Sequence, residues 1–277
     1  MVKGLKFWKM HGLGNDYIVI DNTDEKLQRR NLGELAKNLC QRRFSVGADG
    51  LLLACKSKVA DVKMRIFNPD GSEAEMCGNG IRCLAKFCYE NGIVQKNTFK
   101  IETLAGIRQV WLSANDEVDN VKVDMGEPSF DRKTIPMLGE GKCINEELEV
   151  DGEVYKVTCL SIGNPHCVTF VENVASVPLE KIGPKIEKHE KFPKRVNAEF
   201  VQILSPKEIK VRVWERGVGE TMACGTGACA SVAASYILGK TGKKVKVNLL
   251  GGSLEVSYNG RLFMEGPVAK VFAGELF

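Results

Sequence analysis

No apolar run in the 277 residues approaches the roughly 20 needed to cross a bilayer as a helix. The opening stretch MVKGLKFWKMHG lacks the apolar core of a signal peptide, so a cytoplasmic location is expected and a membrane partner is not. No CxxC pair occurs, which removes the zinc ribbon and the thioredoxin-type site. The spacing Cys77, Cys83, Cys88 fits no common zinc or iron–sulfur pattern. Neither a pyridoxal lysine motif nor a metal triad stands out, so no metal and no cofactor are expected. Histidine is scarce, with three residues. No nucleic-acid motif is present, and the formal net charge of +4 is mild. The basic stretch GKTGKKVKV (239–247) reads as a solvated lysine face.

What is present begins with ten cysteines, at 40, 55, 77, 83, 88, 143, 159, 167, 224 and 229. A disulfide framework is not expected in a chain of this length without a secretion signal. About eight of the ten read as small buried hydrophobes. The apolar fraction of 44% and charged fraction of 27% are those of an ordinary globular protein, long enough for one or two domains.

Two of the cysteines stand in matching surroundings, EMCGNGIRC (75–83) and MACGTGACA (222–230). Cys77 and Cys224 are 147 positions apart (224 − 77), and that offset also lays DVKMRIF (61–67) over EIKVRVW (208–214). Lys63 meets Lys210, Arg65 meets Arg212, Phe67 meets Trp214 and Glu73 meets Glu220. An offset of 146 lays 99–112 over 245–258, an offset of 150 lays GADGLLL (47–53) over NAEFVQI (197–203), and 149 brings Asn15 and Val19 to Asn164 and Val168. The chain therefore reads as two similar halves.

Each half has an alternating, strand-like segment, a Gly-rich turn, Cys-Gly-x-Gly, a helical run ending at a glycine, and two further strand-like segments. This predicts an α+β fold of two pseudo-symmetric domains. Each is a curved, mostly antiparallel, barrel-like sheet wrapped around a central helix, with the active site in the cleft between them. The boundaries are placed at 1–118 plus 268–277 for the first domain and 119–267 for the second. The polar stretch SANDEVDN (113–120) is the expected crossing, and AKVFAGELF (269–277) is expected to return as a strand to the first domain.

A cysteine at a helix start has its thiolate favoured by unpaired backbone N–H groups and by the helix dipole. The glycines after it leave those N–H groups open to a carboxylate. Two such ends facing one another would suit a racemase: one group removes a proton from one face of a carbon and the other supplies a proton to the opposite face. Developing charge on the carboxylate would be met by aligned N–H groups. Duplication alone would also preserve a structural cysteine at both places, so the pair is suggestive by itself.

The motifs go further. MCGNG (76–80), ACGTG (223–227), GLGNDY (12–17), RIFNPDGSEAEMCGNG (65–80), GNPHCV (163–168), VNAEF (196–200) and VWERGVGET (213–221) together resemble the diaminopimelate epimerase family, in order and over nearly the whole chain. The resemblance implies a cofactor-independent epimerisation of L,L-diaminopimelate to the meso form, in lysine and peptidoglycan-precursor biosynthesis, by a homodimer. It implies that Cys77 and Cys224 are the acid/base pair. Gly78, Asn79, Gly225 and Thr226 would hold the reacting carboxylate. Asn15, Asn68, Asn164 and Asn197 would bind substrate, with Glu215 and Arg216 of the "ER" motif. His166 and Glu215 would tune the cysteines. Where some members carry glutamine after VGAD, this chain has Gly50. Two other readings stay open: a proline or hydroxyproline-type racemase, and a thiol redox switch beside an amino-acid-binding cleft. Cys83 and Cys229 read as packing.

Overall fold

The computed structural model describes residues 3–27, 30–114 and 117–277. The chain divides into two compact units, Met1–Asp124 with Glu265–Phe277, and Met125–Met264. No helix among the described residues is long and apolar enough to cross a membrane.

The first unit starts with the hairpin β1 (Lys6–Gly12) and β2 (Asn15–Asn22), turned by Leu13 and Gly14, both at positive φ. Helix α1 (Leu32–Leu39) follows, capped by the Asn31 side chain on Glu34 N. It is the crossover that lets β3 (Gly50–Cys55) lie parallel to β2. β4 (Val62–Phe67) runs antiparallel to β3, and the short β5 (Glu73–Ala74) pairs back on β4. The second crossover is α2 (Gly78–Glu90), which brings β6 (Thr98–Thr103) parallel to β4. β7 (Gly106–Ala114) and β8 (Val118–Gly126) complete the antiparallel run.

The second unit repeats this plan. β9 (Glu146–Val150) pairs with β10 (Glu153–Ser161), which forms a hairpin with β11 (Pro165–Phe170). α3 (Leu179–Glu187) crosses to β12 (Asn197–Ser205), parallel to β11. β13 (Glu208–Glu215) is antiparallel to β12, with β14 (Gly219–Glu220) paired back on it. α4 (Gly225–Ile237) then crosses to β15 (Lys244–Leu249), parallel to β13, and β16 (Gly252–Tyr258) follows antiparallel. The chain leaves this unit through β17 (Leu262–Pro267), and β18 (Ala269–Glu275) pairs antiparallel with β1. The fold is α+β, two pseudo-symmetric halves of mostly antiparallel strands.

In each unit one helix packs on either face of the sheet. Ile18 and Ile20 of β2, and Leu51 and Leu53 of β3, meet Leu32, Leu35 and Leu39 of α1 in one apolar cluster. Cys167, Ala198 and Phe200 meet Leu179 and Ile186 of α3 in its counterpart. The opposite faces receive α2 and α4, whose residues 78–88 and 225–235 are buried throughout. Both central helices end on a glycine in the left-handed region, Gly92 (φ 69°) and Gly239 (φ 68°), with the N–H bonded three residues back.

The repeat pattern predicts one central helix per half; α1 and α3 add a second. The strand register also corrects one offset. Leu51 faces Phe67 and Leu53 faces Arg65, while Ala198 faces Trp214 and Phe200 faces Arg212. With Phe67 equivalent to Trp214, β3 therefore maps on β12 at 147 and not at 150. Gly50, not Gly47, is the equivalent of Asn197, and Leu52 is the equivalent of Glu199. The stretch 113–120 forms the β7–β8 hairpin, in which Ser113 faces Asn120; Asn115 and Asp116 lie outside the described residues.

Candidate functional site

Cys77 and Cys224 are the N-caps of α2 and α4. Both have extended backbone (φ −139°, ψ 123°; φ −114°, ψ 109°), and each sulfur accepts the N–H of the third residue on. Gly80 N lies 3.5 Å from Cys77 Sγ and Gly227 N lies 3.3 Å from Cys224 Sγ. A sulfur in the cap place usually filled by serine or aspartate sits at the positive end of the helix, where negative charge is favoured. The third residue has to be small. A Cβ on Gly227 would come within 3.0 Å of Glu199 Oε1 and 3.2 Å of Cys224 Sγ. On Gly80 it would meet Leu52 Cδ2 at 3.2 Å. Ile81 N and Ala228 N open the regular ladder on Cys77 O and Cys224 O; the N–H groups ahead of them belong to the helix start, where no carbonyl lies four residues back, the usual basis of an anion site.

Around Cys77 the neighbours are a phenol and two amides. Tyr17 Oη is 2.8 Å from Cys77 Sγ, and its hydroxyl donates to Asn15 Oδ1. Asn15 Oδ1 also accepts from Asn79 Nδ2 (3.2 Å), and Asn15 Nδ2 donates to Asp49 Oδ2 (2.8 Å). Asn79 Oδ1 accepts from Arg82 Nη2 (2.9 Å), whose side chain is fully buried and also reaches Gly78 O. Behind this group Asp16 is bonded to Lys9 and Arg42. Burial opposes its ionisation, but Arg42 and Lys9 overcome that and hold it at about 2. Cys77 itself is half-buried.

Around Cys224 the neighbours are acids and a histidine. Cys224 is buried, and its sulfur lies 3.5 Å from Thr226 Oγ1. Thr226 Oγ1 accepts from Asn164 Nδ2 (3.2 Å), and Asn164 Oδ1 meets His166 Nε2 (3.0 Å). His166 Nδ1 meets Glu199 Oε1 at 2.6 Å, both side chains being wholly buried. Glu215 accepts from Thr221 Oγ1 (2.5 Å), and its charge acts on Cys224. Burial raises the pKa of both Glu199 and Glu215. Burial, with the charges of Glu215 and Glu199, pushes the Cys224 thiol well up; Thr226 and the Gly227 N–H pull the other way.

The structure thus gathers Asn15, Gly78 and Asn79 about Cys77, and Asn164, His166, Glu215, Gly225 and Thr226 about Cys224. Asn197 bridges Pro165 O and Arg216 N (both 2.8 Å), which ties Arg216 to the β11–β12 end of the same unit. Arg216 Nη1 is 3.4 Å from Lys194 O. Asn68 is bonded within its own turn, to Ser72. Cys83 and Cys229 are fully buried, and burial pushes Cys83 up to about 12. Of the eight other cysteines, seven are buried and Cys55 is half-buried. Among the described residues, no group of three or more His, Cys, Asp or Glu is placed to hold a metal ion. Two functional candidates escaped the sequence reading, Tyr17 and Glu199. The signal for Glu199 was an acid set among the apolar Ala198, Phe200 and Val201 of a strand.

The diaminopimelate epimerase family model matches residues 7–131 and 158–271. A diaminopimelate epimerase of Pelotomaculum thermopropionicum is 52% identical over 275 residues, covering 98% of each chain. One from Methanococcus maripaludis strain C5 is 52% identical over 277 residues, covering 98% of this chain and 99% of its own. Among solved structures, a hydroxyproline epimerase from Agrobacterium vitis aligns with a TM-score of 0.72 over 99% of this chain and 92% of its own. At 14% identity that likeness concerns the fold.

Proposed function

The chain belongs to the diaminopimelate epimerase family, and on that premise we propose that its two capped cysteines are the two proton carriers of the reaction. The protein epimerises L,L-diaminopimelate to the meso form. In this reading the half-sites close on opposite faces of one α-carbon. One sulfur, as thiolate, removes the α-proton; the other, as thiol, delivers a proton from the far side, and the roles exchange in the reverse direction. The N–H groups of Gly78, Asn79, Gly225 and Thr226 hold the reacting carboxylate and stabilise charge as it develops there. Asn15, Asn68, Asn164 and Asn197 bind the amino and carboxyl groups. Arg216, whose guanidinium suits a carboxylate through two parallel bonds, takes the distal end with Glu215. Glu215, kept basic by burial and close enough for its charge to act on Cys224, receives the Cys224 proton. His166 tunes the same sulfur. The reading includes a homodimer in the cytoplasm.

The observation that carries this is the matching extended N-cap of Cys77 and Cys224, each sulfur on the third N–H, at repeat-equivalent places. Incubation with L,L-diaminopimelate in deuterated water is the test. Meso product with deuterium at one α-carbon is expected, and proline is expected to stay unlabelled. Reduced protein that exchanges no proton of diaminopimelate overturns the reading; exchange with proline alone moves it to the racemases. Sedimentation velocity checks the dimer.

A further inference from the structure

Glu199 is the one acid on the inward face of β12, at the place Leu52 holds in the other half. Its carboxyl is fully buried, Oε1 meets His166 Nδ1 at 2.6 Å, and Oε2 has no hydrogen-bond partner. A buried, bare carboxylate with one unpaired oxygen is costly. Sharing one proton between Glu199 and His166 leaves the pair without net charge. The other ring nitrogen then has to be a donor, because Nε2 faces Asn164 Oδ1 at 3.0 Å while the Asn164 amide nitrogen is directed at Thr226. With its oxygen occupied by that amide, the Thr226 hydroxyl keeps its own hydrogen for Cys224 Sγ, 3.5 Å away.

Each link in this order points its hydrogen the same way: His166 to Asn164, Asn164 to Thr226, Thr226 to sulfur. We infer that Glu199 is a positioning residue for Cys224, anchoring a buried one-way chain of hydrogen-bond donors that ends on the sulfur and stabilises its thiolate. The chain opposes what else faces that sulfur, namely the apolar burial, Glu215 on β13 and Glu199 itself when ionised. It complements Glu215, which takes the proton whose departure the chain then stabilises. All five residues lie in the second unit. In the half built on Cys77 the anchoring place is held by Leu52, whose side chain cannot hydrogen-bond.

The inference rests on the two-cysteine reading, yet its test needs no turnover. Iodoacetamide labelling of the whole protein across pH 6–10, read peptide by peptide, follows Cys224 with Cys77 as the internal reference. Glu199→Leu, the side chain found in the other half, is expected to slow Cys224 labelling at pH 8 about tenfold, the loss of one hydrogen bond to a charged group, and to leave Cys77 unmoved. Glu199→Gln, whose amide can donate to Nδ1, is expected to restore the wild-type profile. A bare negative charge would behave oppositely: both variants would label Cys224 faster, and that result overturns the proposal, as does no change in either. For a Leu variant that fails to fold, nitrogen-15 spectra of the wild-type histidines decide. An Nε2–H on His166 that persists from pH 6 to 9 supports the chain. An Nδ1–H with bare Nε2 reverses its direction and refutes it. Proton exchange that fails in deuterated water while these readouts hold would sink the epimerase reading and spare the chain.

Discussion

The two cysteine caps share their backbone geometry and differ in almost everything that touches them. Cys77 is half-buried and sees Tyr17 and asparagine amides held by Arg82 and Asp49. Cys224 is buried and sees Glu215, Thr226 and the Glu199–His166 pair. At repeat-equivalent places the first half has Tyr17, Leu52 and Asn68 where the second has His166, Glu199 and Glu215. Both halves keep the part that the proposed reaction uses twice, a sulfur at a helix start. They differ in the part that sets each sulfur's protonation. A reaction that starts with one thiol and one thiolate has no use for two identical settings. Tyr17 illustrates the other setting: its hydroxyl lies 2.8 Å from Cys77 Sγ and bonds Asn15 Oδ1.

The comparison breaks most visibly if one cysteine proves dispensable. Cys77→Ala and Cys224→Ala should each lower turnover by about a thousandfold or more while circular dichroism stays native, because each face of the carbon needs its own carrier. Near-normal turnover in either variant removes the two-carrier account. Arg216→Ala should raise the Michaelis constant on the order of a hundredfold, consistent with losing a bidentate charged pair, with a smaller effect on turnover. Unchanged constants would mean Arg216 does not meet the distal carboxylate.

Tyr17→Phe sharpens the contrast within the first half. Loss of one hydrogen bond to Cys77 should lower turnover roughly tenfold and shift the pH profile of Cys77 labelling, leaving Cys224 as it was. A shift at Cys224 instead would show that the two settings are not independent. Cys83→Ala should keep turnover and cost about 1–2 kcal/mol of stability through a small cavity.

The smallest effect concerns acid. Asp16 is held at about 2 against an ordinary 3.8 for the carboxyl. A lowered folded value adds stability above the unfolded value and loses it as pH falls through the folded one. That contribution, of order 2 kcal/mol, is therefore present above about pH 4 and lost between about 4 and 2. Denaturant titrations of Asp16→Asn should be flatter over that window than those of the wild type.

Much of this is legible in the amino-acid sequence. The repeat, the strands at 62–67 and 208–215 and the helix starts at 78 and 225 follow from alternation, glycine turns and the matched Cys-Gly-x-Gly. The outer helices were not, because α1 and α3 lie in the segments where the two halves share least sequence. Nor was the register of β12. Similarity of GADG to NAEF suggested 150, whereas strand pairing demands 147, a difference of three that turns every side chain to the other face. Glu199 was hidden by that slip. Aligned on Asp49 it looks like a shared acid; aligned on Leu52 it is an acid substituted into an apolar wall. Asn68, readable only by resemblance, remains bonded to Ser72 in its own turn.

The claim that both sulfurs serve one carbon is tested most directly by joining them. Diamide, taking up two electrons and two protons from a pair of thiols, should inactivate the substrate-free protein through a Cys77–Cys224 disulfide found by peptide mapping. Dithiothreitol should restore activity, and bound diaminopimelate should protect it by standing between the sulfurs. Inactive protein in which Cys77 and Cys224 are still thiols, with Cys40 or Cys143 modified instead, would contradict the account.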